Sequence, residues 1–417
     1  MSQHKFSIKT DVSKIVSLDI PDQLPLVEFP AISSSNLERV TTATKSPDLV
    51  CLSHLRWNFV YQRPQHLLSR CAKQQRVFFI EEPIFTKSTD KIDISQDESG
   101  VWVVVPHVSA ELSKTEINAL QKQLIDELFA QAQIQEYILW YYTPMAMDFT
   151  HHLEPSGVIY DCMDELSAFK GASPALKELE AELFKRADLV FTGGQSLYES
   201  KVNQHPNVYA FPSSIDKTHF AQARNFTQDP IEQVDIPHPR LGFFGVIDER
   251  MDLELISGIA TAQPNWHLIM IGPVAKIDPE ILPRQANIHY LGSKAYQDLP
   301  AYIAGWDVAI LPFARNESTR FISPTKTPEY LAAGKPVVST SICDVIRPYG
   351  QAGLVQIADT GAEFVTAVTA AMNKNSAESA EWLLKVDAFL AQNSWDDTWT
   401  RMMQLISDRI VKVITQW

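Results

Sequence analysis

Cysteine is scarce and scattered. Cys51, Cys71, Cys162 and Cys343 form no C-x-x-C pair in 417 residues, so neither a zinc cluster nor a disulfide framework is expected and the thiols read as reduced and mostly buried. No run of about 18 apolar residues occurs, as a membrane-spanning helix requires, and the opening MSQHKFSIKTDVSKIVSLDI lacks the basic-then-apolar layout of a secretory signal. A cytoplasmic location is the expectation. Positive charge is short as well. Lys plus Arg number 36 against 50 Asp plus Glu, an imbalance spread over both halves of the chain, and this argues against nucleic-acid binding, which draws on a basic face. Among only 15 glycines there is no G-x-G-x-x-G turn, no G-x-x-x-x-G-K-[ST] loop and no G-x-S-x-G elbow, which sets aside nicotinamide, P-loop and α/β-hydrolase chemistry. No H-x-x-x-H pair points to a catalytic metal, and His151-His152 reads as a solvated loop pair.

What the chain does have is apolar surface, 45% hydrophobic residues with 10% aromatics, enough for more than one core and too much for disorder. Residues 1–46 carry few long apolar runs and read as an extension. From Asp48 onward, short apolar runs rich in β-branched and aromatic residues alternate with amphipathic stretches, the pattern of strand-helix repeats and a parallel sheet. The expected strands of a first domain, 47–212, are 49–53, 76–80, 101–105, 137–142, 158–161, 189–192 and 208–211. Helical patterns lie at 64–73, 114–132, 175–186 and 195–202. Residues 213–239, punctuated by Pro230, Pro237 and Pro239, break the rhythm as an interdomain linker does. A second series, 240–393, has strands at 241–244, 267–271, 288–291, 308–311, 336–339 and 354–357, and helices at 253–262, 299–305, 328–333 and 362–372. The stretch 377–416 reads as two helices, the later with Ser394 as N-cap; residues 394–417 could cross back to the first domain. Two doubly wound halves bind ligands at the carboxyl ends of their strands, so the site is expected in the crevice between them.

One segment of the second half joins polar residues to a helix start: PFARNESTRFISPTKTPEYLAAGKPVVST, residues 312–340. Ser323 or Thr327 can cap that helix, Pro324 or Pro328 suits its first position, and Lys326 lies at the same end. Unpaired N–H groups beside a lysine suit a diphosphate, and Glu329 could accept hydrogen bonds from a ribose diol. Gly334-Lys335 precedes Pro336 and fits a helix C-cap.

This run, with Asn316, Thr319, Ser323, Pro324, Lys326, Glu329 and Tyr330 followed by AAGKPVVST, resembles the donor-site segment of GT-B glycosyltransferases in the grouping around family four. LGFFGVIDERMDLELI at 241–256, which contains Gly245, is similar to the first strand and loop of their nucleotide domain. DLVCLSHLRWNFVYQRPQHLLSRCAKQQRVFFIEEP at 48–83 and VIYDCMDELSAF at 158–169 resemble blocks of bacterial enzymes that build exopolysaccharide, lipopolysaccharide or teichuronic-acid-type glycans.

The resemblance implies two Rossmann-like domains facing a central cleft, and a metal-independent, hexosyltransferase-type activity. Lys326 and Arg250 would neutralise the donor diphosphate, whose charge grows as the glycosidic bond breaks. Arg250 could otherwise be a surface ion pair with Glu249 or Asp252. Glu329 matches the later glutamate of an E-x7-E motif, while the earlier position is Phe321, a departure that leaves donor sugar and anomeric outcome open. Asn316, Glu317 and Thr319 become candidates for reading sugar hydroxyls, and Gly292, Ser293 and Tyr296 for holding the base. In the first half Asp161, at a strand end, is the preferred base, with Asp164 as a second catalytic carboxylate or a helix cap. Gly193-Gly194 is a tight strand-to-helix turn. Trp57, Tyr61, Arg63, Gln65 and His66 would meet the acceptor, through stacking on sugar rings and an Arg grip on a phosphate, unless Trp57 is core packing.

The expected reaction is transfer of a sugar from a nucleotide donor, a UDP-sugar first, to a bacterial surface glycan or its lipid-linked precursor. No cofactor or metal is called for, and the acceptor class implies peripheral contact with the inner face of the cell membrane. A nucleotide-sugar epimerase and a non-catalytic sugar-nucleotide-binding scaffold are the alternatives.

Overall fold

The computed structural model describes residues 46–87 and 91–411. The extension expected at the N-terminus therefore lies, apart from Ser46, outside the described residues. From Ser46 onward the chain forms one compact unit.

Two sheets organise it. The first contains β1 (Asp48–Leu52), β2 (Val77–Ile80), β3 (Ile84–Thr86), β4 (Lys91–Gln96), β5 (Trp102–Ser109), β6 (Tyr137–Tyr141), β7 (Gly157–Cys162), β8 (Leu189–Thr192) and β9 (Val208–Ala210) in the order β3-β5-β2-β1-β6-β7-β8-β9, with β4 against β5. Every pairing is parallel except β4 with β5. The central strands β1, β2, β6, β7 and β8 are buried along their whole length, as parallel strands covered on both faces must be. Helices α1 (Arg63–Cys71), α2 (Lys114–Gln131), α3 (Leu176–Arg186) and α4 (Gln195–Lys201) supply the crossovers. The sequence reading missed β3 and β4. β4 is KIDISQ, an exposed edge strand whose polar residues leave no apolar run.

The second sheet, β12-β11-β10-β13-β14-β15, is parallel throughout. Its strands are β10 (Arg240–Phe244), β11 (His267–Ile271), β12 (Ile288–Gly292), β13 (Val308–Leu311), β14 (Val337–Ser339) and β15 (Val355–Ile357), with α5 (Leu253–Ala262), α6 (Leu299–Ala304), α7 (Lys326–Ala332), α8 (Gly361–Met372) and α9 (Ser376–Leu390) around them. The two Rossmann-like halves are those read from the periodicity. α7 starts two residues earlier than expected, and neither Ser323 nor Thr327 caps it: the flanking residue is Thr325, without a side-chain cap, and the Thr327 hydroxyl is buried with no partner. Gly334 ends it at φ 77°, its N–H bonding Leu331 O at 2.9 Å, the C-cap expected there.

The first sheet separates two apolar layers because successive residues of a strand point to opposite faces. Val50 and Leu52 join one layer, Leu49 and Cys51 the other. That second layer is closed by the last helix, α10 (Trp395–Ile406), through Trp395, Trp399, Met402 and Ile406, spaced by four, three and four residues as one helical face requires. Ser394 caps α10 by accepting Asp397 N–H at 3.0 Å. The C-terminal helix thus crosses from the second half back to the core of the first. The four cysteines are free.

Candidate active site

The carboxyl ends of the two sheets meet. Lys170 N–H of the first half donates to Glu249 Oε1 of the second at 2.9 Å, and Phe169 lies beneath two cations, with Arg250 Cζ 5.9 Å and Lys276 Nζ 5.6 Å from its ring centre. Cations at this distance are attracted by the ring's quadrupole.

On the second half, the end of β10 and the start of α7 fit around a lysine. Tyr330 is fully buried and its hydroxyl accepts Phe244 N–H at 2.9 Å, which ties α7 to the strand. Gly245 follows at φ 142°, a conformation open to glycine, and a Cβ there would stand 2.5 Å from Lys326 Cε. The lysine side chain runs directly under the strand-end turn. Its ammonium makes no hydrogen bond or ion pair among the described residues; it faces the Phe244 ring at 6.0 Å. Burial pulls its pKa below the usual lysine range, and Arg250 adds to this. An unpaired ammonium in such a place is a charge waiting for an anion.

Glu329, one turn on, is buried, and its Oε2 has no partner. Burial pushes this carboxyl up to about 7, with Lys326 pulling the other way. Arg250 is half-buried and forked onto Asp248, from Nε at 2.9 Å and Nη2 at 2.6 Å. Its partner is thus neither Glu249 nor Asp252. The fork fixes the guanidinium plane at the cleft edge.

From the first half Asp164 enters the same field. Its carboxylate makes no hydrogen bond or ion pair among the described residues, and the short turn after it is not capped by any side chain, so the capping alternative falls away. Burial raises its pKa, while Arg250, Lys276 and Lys326 draw it down. A carboxylate from one half and three cations from the other therefore share one space.

Other expected residues are placed elsewhere. Asp161 and Arg63 bond each other: Arg63 Nη2 lies 2.8 Å from Asp161 Oδ1, with side chains 3% and 0% exposed, and Nε reaches both oxygens at 3.0 and 3.1 Å. The remaining guanidinium nitrogen donates to Phe211 O at 2.8 Å. Asp161 is thus no free base and Arg63 no acceptor grip; together they pin the start of α1 to the ends of β7 and β9. Trp57 packs on Phe79 at 5.0 Å and is core. Gln65 is spent on Trp57 O at 2.5 Å and Gln62 N–H at 3.0 Å. His66 is stacked on Trp395 at 4.5 Å, and burial, then Arg70, lowers its pKa to about 3. The acceptor-contact reading of Trp57, Arg63, Gln65 and His66 is therefore corrected to a packing role.

Asn316 and Thr319 likewise serve a local turn. The Asn316 carboxamide accepts Ser318 and Thr319 N–H at 3.0 and 3.2 Å, and the Thr319 hydroxyl bonds Ala314 O at 2.5 Å. Tyr296 has stacked partners, His219 at 4.3 Å and Tyr61 at 4.5 Å. Gly292 and Ser293 remain exposed at the end of β12, where Gly292 O accepts Gly272 N–H at 2.9 Å. Ser323 faces the first half and the linker rather than the helix start: its carbonyl accepts Ser213 Oγ–H at 2.8 Å, and its Cβ would stand 2.9 Å from a Cβ on Gly194.

Three residues at the cleft escaped the sequence reading. Lys276, with φ 61°, follows β11 without any motif around it. His54 ends the loop from β1; its Nδ1 is buried and unpartnered, and burial, then Lys276, lowers its pKa to about 4. Glu82, past β2, has its pKa raised by burial against the pull of Arg56 and Lys276. Their common signal is position just beyond a strand's carboxyl end. No group of His, Cys, Asp and Glu able to hold a metal occurs among the described residues.

Residues 238–374 match the family model of Glycosyl transferases group 1. Over residues 238–374 the second half is thus similar to the group 1 glycosyltransferases. A Bacillus subtilis (strain 168) protein assigned to teichuronic acid biosynthesis as glycosyltransferase TuaH is 28% identical over 237 residues, 52% of this chain; the aligned stretch spans only 59% of that relative. Among solved structures, sucrose-phosphate synthase from Thermosynechococcus elongatus superposes with a TM-score of 0.66 at 12% identity, over 87% of this chain and 99% of that one. An E. coli trehalose-6-phosphate structure bound with UDP-2-fluoro glucose gives 0.65 at 11%, over 87% and 99%. Anabaena Alr3699/HepE in complex with UDP gives 0.60 at 11%, over 87% and 100%. At these identities the likeness is one of fold, and the fold is GT-B. The group 1 match begins just before β10 and ends in the linker before α9, so it takes in Gly245, Arg250, Lys276, Lys326 and Glu329.

Proposed function

We propose that this chain, similar over its second half to the group 1 glycosyltransferases, moves a sugar from a nucleoside-diphosphate sugar, a UDP-sugar first, to a hydroxyl of a surface glycan or its lipid-linked precursor. The observation that carries the reading is the half-buried, unpaired ammonium of Lys326 under the Gly245 turn, beside Arg250. TuaH bears a teichuronic acid role and two fold neighbours hold UDP or a UDP-sugar analogue, which supports the donor and acceptor classes.

In this mechanism the acceptor oxygen forms a bond to the anomeric carbon while the bond from that carbon to the β-phosphate oxygen breaks. The electron pair goes to the phosphate. Lys326 and Arg250 stabilise that charge without reorganising, because both are already fixed. Lys276 adds a third positive charge at the rim. The Glu329 carboxylate would bond the ribose diol with its unpartnered Oε2. Asp164 takes over the role first given to Asp161: its unpaired carboxylate receives the acceptor proton or balances positive charge on the sugar. Three protein cations do the work for which other transferases recruit a divalent ion, so transfer would persist in chelator. No helix among the described residues is long and apolar enough to cross a membrane; a lipid-linked acceptor would be met at the inner membrane face.

Calorimetric titration with UDP, GDP, ADP and uridine tests the reading. Diphosphate binding that exceeds nucleoside binding, followed by transfer when donor and acceptor are supplied, is expected. Binding to none of the four would leave the transferase reading without its donor, and donor binding without turnover on any glycan would favour a scaffold.

A further inference from the structure

Helix α4 of the first half has no cap of its own. Its N-cap residue is Gly194, which has no side chain to offer, so the first-turn N–H groups need a partner from elsewhere. The partner comes from the other half. Asp344, in the turn after β14, accepts Ser196 N–H on Oδ1 at 3.0 Å, and it is only 4% exposed. Three residues on, Arg347 forks onto Glu199 of the same helix at 3.0 and 3.1 Å.

The glycines explain how the halves come this close. Gly194 has extended backbone, φ −163°, which any residue can adopt; what it lacks is room. A Cβ on it would collide with Asp344 Oδ2 and stand 2.9 Å from Ser323 Cβ. A Cβ on Gly193 would stand 2.5 Å from Met163 O, the carbonyl next to Asp164. One unbroken line of contact therefore runs from the Asp164 segment through Gly193-Gly194 to Asp344 and to Ser323, three residues before Lys326. The same donor loop is also held by Ser213 on the Ser323 carbonyl and by Phe321, which packs against the core of the first half. Phe321, at the position where the E-x7-E pattern would have glutamate, is thus an anchor across the cleft.

We propose that Asp344 is a positioning residue: by capping α4 from the opposite half it sets the Asp164 segment against the donor loop, so that proton acceptor and diphosphate cations reach working distance together. The contact is built to open. Asp344 Oδ2 is buried without a hydrogen-bond partner, so separation returns it to water, and the Arg347–Glu199 pair is exposed and adds little. This proposal rests on the transferase reading for its kinetic test, and on scattering for a test that does not need it.

Three variants decide it. Asp344→Ala and Gly194→Ala should leave UDP affinity as in the wild type, since the diphosphate residues all lie in the second half, while kcat/KM falls on the order of 10- to 100-fold from lost alignment. Asp344→Asn keeps an oxygen for Ser196 N–H and should restore most of that loss, which a merely destabilised fold would not. Small-angle scattering should show Asp344→Ala and Gly194→Ala expanded relative to the wild type and Asp344→Asn. Unchanged kcat/KM in Asp344→Ala, loss of UDP affinity in step with activity, or no rescue by asparagine overturns the proposal. A wild type that binds no UDP overturns the transferase reading instead, and unexpanded alanine variants would then sink the cap as a closure contact as well.

Discussion

Lys326→Met removes one charge from the cleft and little volume, and its two consequences have opposite signs. An ammonium about 4 Å from a phosphate at an effective dielectric near 20 contributes about 4 kcal/mol. Arg250 and entering water offset part of it, so UDP affinity should fall about 10²- to 10³-fold, while uridine affinity, which involves no phosphate, stays as it was. Without ligand, the same ammonium is half-buried with no ion pair, and desolvation pulls its pKa down against the opposing charge of Glu329. Methionine keeps the stem in contact with Gly245 and Phe244 and removes an unpaired charge, so the unliganded protein should gain about 1 kcal/mol. Calorimetry with UDP and uridine, beside thermal melts of the free protein, reads both. Equal loss of UDP and uridine affinity would remove Lys326 from the phosphate position; a lower melting temperature in the free variant would show that the ammonium supports the fold rather than costing it.

The pH dependence of Glu329 offers a second measurement. Its pKa rises from 4.5 to about 7 on folding, so the unfolded chain ionises first and the fold loses stability as pH rises from about 4.5 to about 7, with a plateau near 3 kcal/mol above that. Glu329→Gln should therefore melt higher than the wild type at pH 8 and alike at pH 4.5, and an advantage that is the same at both pH values would contradict the burial argument. Arg63→Met strands the Asp161 carboxylate inside the protein and should cost about 3–5 kcal/mol in denaturant unfolding; a change under about 1 kcal/mol would mean the pair is dispensable. Asp164→Asn should bind UDP normally and lose most of kcat, whereas an active variant would return the base to another residue. Gly245→Ala forces a side chain against Lys326 Cε at a φ of 142°, and diphosphate affinity should drop while secondary structure by circular dichroism is kept.

Much of the molecule is written locally. Apolar runs of four to five residues announce the buried parallel strands, and those with polar faces do not, which is why β4 (KIDISQ) went unread. The segment proposed for the donor was legible because Lys326, Glu329 and Tyr330 lie within two turns of one short helix, where their spacing in sequence is their spacing in space. The first-half site was misread for the complementary reason. Asp161 does end a strand, and Arg63 does begin a helix at the same edge, but strand position alone cannot say whether a carboxylate faces solvent or a guanidinium.

By itself, then, the order of residues determined two α/β halves and an amphipathic C-terminal helix, and marked residues 312–340 as a candidate phosphate segment, since these depend on periodicity and on neighbours within a turn or two. Tertiary structure decided which charges are free. Arg63 meets Asp161 from 98 residues away, and Asp344 reaches Ser196 from 148. Partners so far apart leave no mark on local sequence, yet in the folded protein their pairing separates the carboxylate that holds the scaffold, Asp161, from the one left unpaired in the cleft, Asp164.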